Sequence, residues 1–344
     1  MTRTPKGTVL VTGSNGEIGR SLIERIKDEG ELGIVTLDLT PAPDAIRALA
    51  DASYAGNIMD RYLLDQIAAH HEIDAVFHLA ALLSTRGERD PELAHQVNVE
   101  GTLNLLRVAQ QQSGRLGRPV KFLFPSSIAV YGLPSVPEKA KVGRIREEEW
   151  NVPITMYGCN KLYCEHLGRY FTHHHRQLGA LSSVARLDFR ALRFPGLISA
   201  DTVPTGGTSD FGPEMLHAAA RGQSYASFVG PEAKIPFMAM PDAVSALLGL
   251  LRASKDRLTS TVYNVDAFSL SAAEIASRVK TAFPGADTTY APDAVRAKIV
   301  DSWPESMDDA RARADWDWKP EFDADRAFGE YLLPKIRARY AAKA

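Results

Sequence analysis

The chain is poor in cysteine: two, Cys159 and Cys164, in 344 residues. Two thiols can form neither a zinc site of their own nor a disulfide framework, and they fit free thiols in a reducing compartment. It also lacks an excess of one charge, since 40 Lys and Arg stand against 42 Asp and Glu. A net charge of −2 offers no footprint for nucleic acid or an anionic membrane. No apolar run approaches the ~20 residues that span a bilayer. No signal-type segment precedes the first apolar stretch, Thr8-Val-Leu-Val-Thr12. His173-His-His175 resembles a metal tract, but adjacent histidines on a helix splay ~100° apart. These absences predict a cytoplasmic protein with a small-molecule ligand and no metal, nucleic-acid or membrane partner. The apolar fraction, 45%, is ordinary for a packed core, and the length fits one large domain or two coupled ones.

What is present begins at Thr8. A short apolar stretch runs into Gly13-Ser-Asn-Gly16-Glu-Ile-Gly19, and an amphipathic helix follows with Ile18, Leu22, Ile23 and Ile26 on one face. Gly13 permits the turn off the strand, Gly16 lets backbone approach a pyrophosphate, and Gly19 brings the helix close to the sheet. Asn15, Glu17 and Ile18 share the loop, whose helix N-terminus offers unpaired N–H groups to phosphates. Asp38, nineteen residues past Gly19, ends the apolar run Ile34–Leu37, with Leu39 beside it. An acid there accepts from both ribose hydroxyls and repels a 2′-phosphate, which predicts NAD rather than NADP.

Beyond this, strands and helices alternate. Asn57 and Ile58 fall in a loop expected beside the adenine. Ile73–Ala80 reads as a buried parallel strand whose end, Leu79, Ala80 and Ala81, lets a cofactor pass closely. Asn98 opens a helix, and Pro119–Ser127 delivers two hydroxyls, Ser126 and Ser127, at a strand end. This alternation predicts an α/β fold, a Rossmann-type doubly wound parallel sheet with a smaller C-terminal substrate-binding lobe. The division expected is 1–195, mainly cofactor binding and including the catalytic helix, and 196–344, mainly substrate binding. Residues 235–265 are expected to return to the main sheet. Glu138–Glu149 reads as a charged surface loop, Leu197–Pro213 as a binding loop, and Trp303, Trp316 and Trp318 as packing residues.

Tyr157-Gly-Cys-Asn-Lys161 places a phenol and an ammonium one helical turn apart. A phenol of pKa ~10 is a poor base at neutral pH, and a nearby cation would lower it. Ser127, thirty residues upstream, is placed to hydrogen-bond a reacting hydroxyl. A one-residue change of phase would present Ser126 instead.

The glycine loop, the Ser-Ser strand end, Tyr-x-x-x-Lys and Arg193-Phe-Pro-Gly196 together resemble the extended short-chain dehydrogenase/reductase superfamily over essentially the whole chain. Ala80–Ser84, Phe194–Ser199, Gly206–Asp210, Ile235–Met240, Val262–Val265 with Phe268-Ser269, and Asp301–Pro304 ahead of Asp315–Trp318 resemble its threonine dehydrogenase branch. The resemblance implies NAD-dependent oxidation of L-threonine to 2-amino-3-oxobutyrate. It implies Tyr157 as proton acceptor, Lys161 orienting the ribose, and Leu197 near the nicotinamide. It also implies Ser84, Thr208 and one strand-end serine on the substrate, and a homodimer. Asn57 stands where that branch usually has an aspartate, and Gly206-Gly-Thr-Ser-Asp-Phe211 replaces the commoner Gly-Gly-Thr-Thr-Asp-Tyr. The loops at 138–146 and 177–187 are longer than usual. Ser199–Pro213 carries no Lys or Arg, which argues against a sugar diphosphate. Asp210 is placed either to cap the next helix or to meet substrate. The rival reading is a nucleotide-sugar 4-epimerase or dehydratase with tightly held NAD.

Overall fold

The computed structural model describes residues 7–178, 186–204 and 206–341. Its strands, in chain order, are β1 (Thr8–Thr12), β2 (Gly33–Asp38), β3 (Ala52–Ala55), β4 (Ala75–His78), β5 (Lys121–Ser127), β6 (Arg144–Ile145) and β7 (Asp188–Phe194). There follow β8 (Gly196–Ile198), β9 (Tyr225–Ser227), β10 (Lys234–Ala239), β11 (Val262–Asn264), β12 (Phe268–Ser271), β13 (Thr288–Tyr290) and β14 (Ser306–Met307). Seven form one parallel sheet in the order β11-β7-β5-β4-β1-β2-β3. The order reverses direction at β1, between β2 and β4. The carboxyl ends of β1 and β4 therefore open a crevice, the place where doubly wound sheets take ligands.

The two-residue period of a strand explains the layers. In β1, Val9 and Val11 point into one apolar layer with Leu22, Ile23 and Ile26 of helix Glu17–Glu29. Leu10 points into the other, with Leu64, Leu105 and Phe189. Each fully buried aliphatic side chain of this kind contributes about 1.5–3 kcal/mol relative to exposure. The first helix ends as its sequence implies: Gly30 sits at φ 64° and its N–H returns to Ile26 and Lys27.

Two expectations change. Of the segment expected to rejoin the main sheet, only β11 does so, beside β7. β10 instead pairs with β8 and β12 in a separate three-stranded sheet. β8 follows β7 directly through Pro195-Gly196, and a Cβ on Gly196 would lie 2.9 Å from the Phe237 ring of β10. That close pairing draws β10 to the second sheet. Residues 138–149, moreover, are half exposed but are not a loop throughout. A short helix, Val136–Val142, precedes β6, which pairs with β14, and Lys139, Ile145 and Glu147 are buried. Glu147 accepts the Asn264 N–H (2.9 Å), so this acid seals a junction. The partners of its carboxylate, Asn264 and Arg311, lie more than a hundred residues away, beyond the reach of any local pattern. Among the described residues no helix is long and apolar enough to cross a membrane.

Candidate active site

The glycine loop is built by close backbone approach. Gly13 has φ 69°, and a Cβ there would lie 2.6 Å from the Ala80 nitrogen. At Gly19 a Cβ would meet the Gly13 carbonyl at 2.4 Å. The helix beginning at Glu17 therefore aims its N-terminus into the crevice over a loop that no side chain fills. Asp38 Oδ2 accepts the Asn15 N–H at 2.9 Å, holding the loop to the end of β2. This arrangement fits a dinucleotide: a bare N–H cradle for the pyrophosphate, with a carboxylate beside it.

Beneath the crevice runs a buried hydrogen-bond chain. Thr102 Oγ1 donates to the Asn98 carbonyl (2.5 Å), so it accepts from His78 Nε2–H (2.9 Å). His78 Nδ1 then accepts from the Thr12 hydroxyl (2.9 Å). Burial, with a smaller push from the Lys161 charge, drives His78 down to about 3, consistent with a neutral ring. Cys164, also buried, points its thiol at the Asn98 carbonyl, whereas Cys159 is exposed; both are free. Among the described residues no group of three His, Cys, Asp or Glu is arranged to hold a metal.

The crevice is a cavity of about 650 Å³. Its wall includes Gly13, Asn15, Gly16, Glu17, Ile18, Gly19, Asp38, Leu39, Asn57 and Ile58 on the loop side, and Leu79, Ala80 and Ala81 at the β4 end. Ser84, Ser126, Ser127, Tyr157, Leu197 and Thr208 line its other part. Glu17 turns its carboxylate to the hydroxyls of Thr202 and Ser199, and burial raises its pKa. Two expected residues stand behind the wall. Asn98 clasps Leu82, accepting its N–H (2.8 Å) and donating to its carbonyl (3.0 Å). Lys161 donates to the Pro125 carbonyl (2.6 Å), and its nitrogen lies 5.5 Å from the Tyr157 ring centre.

The two strand-end serines separate. Ser126 donates to Glu165 Oε1 (2.5 Å), which also takes Arg193 Nε–H at 2.9 Å in a buried ion pair. Ser127 lines the cavity with Tyr157, and its oxygen accepts the Ala129 N–H (3.1 Å). Thr155 caps the helix Met156–His173 that carries Tyr157, accepting the Gly158 N–H at 3.1 Å. Burial pushes the phenol up to about 12, and the Ser127 hydroxyl opposes that rise. Burial also pushes Lys161 down to about 8. The expected lowering of Tyr157 by Lys161 is therefore absent: desolvation outweighs an ammonium already committed to a carbonyl.

On the wall of the same cavity, Ser84 and Thr208 share a hydrogen bond of 2.7 Å, and Thr85 donates to the Gly206 carbonyl (3.0 Å). Asp210 makes no side-chain cap to the helix Phe211–Ala220. It accepts instead from Gly206 N–H (3.1 Å) and Gly207 N–H (2.6 Å), closing its own loop. Thr205 lies outside the described residues. Trp316 and Trp318 pack together, 5.6 Å between ring centres, and Trp303, buried in the same core, also lines the cavity. Phe194 and Pro195, of the Arg193-Phe-Pro-Gly196 motif, also line it, as does Arg86, which was not singled out by the sequence. Arg86 lies two residues past Ser84 on the same short helix, the one local signal that pointed to it.

The NAD dependent epimerase/dehydratase family model matches residues 9–266. A Bos taurus mitochondrial L-threonine 3-dehydrogenase is 33% identical over 316 residues, 92% of this chain and 79% of that protein. The holo form of a GalE-like L-threonine dehydrogenase from Cupriavidus necator superposes with a TM-score of 0.81 at 32% identity, covering 98% of this chain and 99% of that one. A monomeric L-threonine 3-dehydrogenase of metagenomic origin gives 0.83 at 31%, covering 97% and 99%. Since that relative is monomeric, likeness to this branch does not carry a homodimer with it. The parallel sheet, the glycine cradle and these matches place the chain in the NAD dependent epimerase/dehydratase family, among the extended short-chain dehydrogenases/reductases.

Proposed function

We propose that this protein is an NAD-dependent L-threonine 3-dehydrogenase, forming 2-amino-3-oxobutyrate. The observation that carries the reading is that Ser127 and Tyr157 line one cavity with the hydrogen-bonded Ser84–Thr208 pair. The names of the relatives above support the substrate. The free N–H groups of Glu17 and Ile18, at the start of the first helix, would hold the pyrophosphate and Asp38 the adenosine ribose, and NAD bound there would supply the hydride acceptor. Tyr157, as phenolate, takes the proton of the β-hydroxyl. Ser127 donates to the oxygen as it becomes a carbonyl, and Ser84 and Thr208 orient the amino acid. Lys161 acts from behind: its charge and its bond to Pro125 fix the end of β5 and the face of Tyr157. The protein's own groups hold Tyr157 high, so the positive charge of oxidised nicotinamide is what would bring the phenol toward a working pKa.

A direct assay tests this. Purified protein mixed with NAD and L-threonine should produce NADH absorbance, and UDP-sugars should not. Conversion of a UDP-sugar without net NADH would replace this reading with the epimerase one.

A further inference from the structure

We propose that Arg86 is the cation that recognises the substrate's carboxylate, an inference that rests on the amino-acid reading above. Of the described residues lining the cavity, Arg86 is the only lysine or arginine. The acids on the wall are already engaged: Glu17 by Thr202, Asp38 by the Asn15 N–H, and Asp210 by its own loop. Lys161, the other cation near the chemistry, is buried on the Pro125 carbonyl and off the wall. Arg86 is exposed, and among the described residues its guanidinium has no protein hydrogen bond or ion pair. A basic group that faces a ligand cavity without a protein partner is available to an anion.

Its helix, Ser84–Arg89, is held on both sides of the chemistry. Ser84 and Thr85 fasten it to Thr208 and Gly206, and Glu88 Oε1 accepts the N–H of Met156, the residue before Tyr157, at 2.8 Å. Arg86 thus stands on a short helix tied both to the Gly206–Thr208 loop and to the start of the helix that carries Tyr157. An amino acid carries one full negative charge, and a planar guanidinium matches a carboxylate with two parallel bonds. Neutral hydroxyls alone would leave that charge uncompensated.

The test compares L-threonine with L-threonine amide, in which a neutral amide replaces the carboxylate, as substrate or competitive inhibitor. In Arg86→Leu the preference for threonine over the amide should fall about tenfold or more, with Arg86→Lys recovering part of it. NADH affinity, read by fluorescence, should match wild type. An unchanged preference in a variant of wild-type NADH affinity overturns the assignment. So does a loss of NADH affinity comparable with the loss on threonine, because the cation would then serve the cofactor's phosphates. Wild-type protein inactive on L-threonine overturns the parent reading and this one together. Wild-type activity with an unchanged preference in Arg86→Leu overturns Arg86 alone.

Discussion

Ser126 and Ser127 are adjacent and chemically identical, yet they should fail in different ways. Ser126→Ala removes one hydrogen bond from the buried Glu165 carboxylate, whose Oε1 and Oε2 still accept from Arg193 at 2.9 and 2.6 Å. A hydrogen bond to a charged group contributes about 1.5–3 kcal/mol. Unfolding entropy near 2.1 cal/mol/K per residue gives roughly 0.7 kcal/mol/K for 344 residues. Ser126→Ala should therefore lower Tm by ~2–4 °C and leave most of kcat. Ser127→Ala removes the hydroxyl that shares the cavity wall with the Tyr157 phenol and the acceptor for the Ala129 N–H. Losing the second costs ~1 kcal/mol, or ~1.5 °C in Tm, whereas losing the first should cost about 10²–10³ in kcat. The assays are a calorimetric scan and NADH production at saturating threonine. Equal loss of kcat in the two variants, or a greater loss in Ser126→Ala, would refute the assignment of the two hydroxyls.

Three further outcomes are expected. Tyr157→Phe should lose about 10²–10⁴ in kcat while NADH still binds; near wild-type turnover would remove Tyr157 as the base. Asp38→Ala should weaken NAD and raise the relative use of NADP in steady-state comparison, and an unchanged ratio would detach Asp38 from the ribose. The base must lose a proton to act, and burial holds Tyr157 high, so kcat should rise with pH between 7 and 9. A profile that falls across that range would sink a phenolate mechanism.

Much of this was legible in the chain because it is local. A strand, three glycines at fixed spacing and a helix dictate the cradle, since only glycine tolerates φ 69° at Gly13 and the 2.4 Å approach at Gly19. Asp38 follows from the length of one helix and one strand, and Tyr157 and Lys161 share a face because they are one turn apart. These depend on spacing alone, so the sequence by itself determined the parallel architecture and the kind of cofactor it suits. Tertiary packing decided the rest. Whether Ser126 or Ser127 faces the tyrosine depends on where Glu165 and Arg193 lie, more than thirty residues on. The high pKa of Tyr157 comes from its burial in the folded chain, and Lys161, on the same helix, is withdrawn by the Pro125 carbonyl of β5. Arg86 gained its place on the cavity only when Ser84 met Thr208, 124 residues away. Spacing fixes what a residue can do, and burial and long-range partners fix whether it faces the substrate.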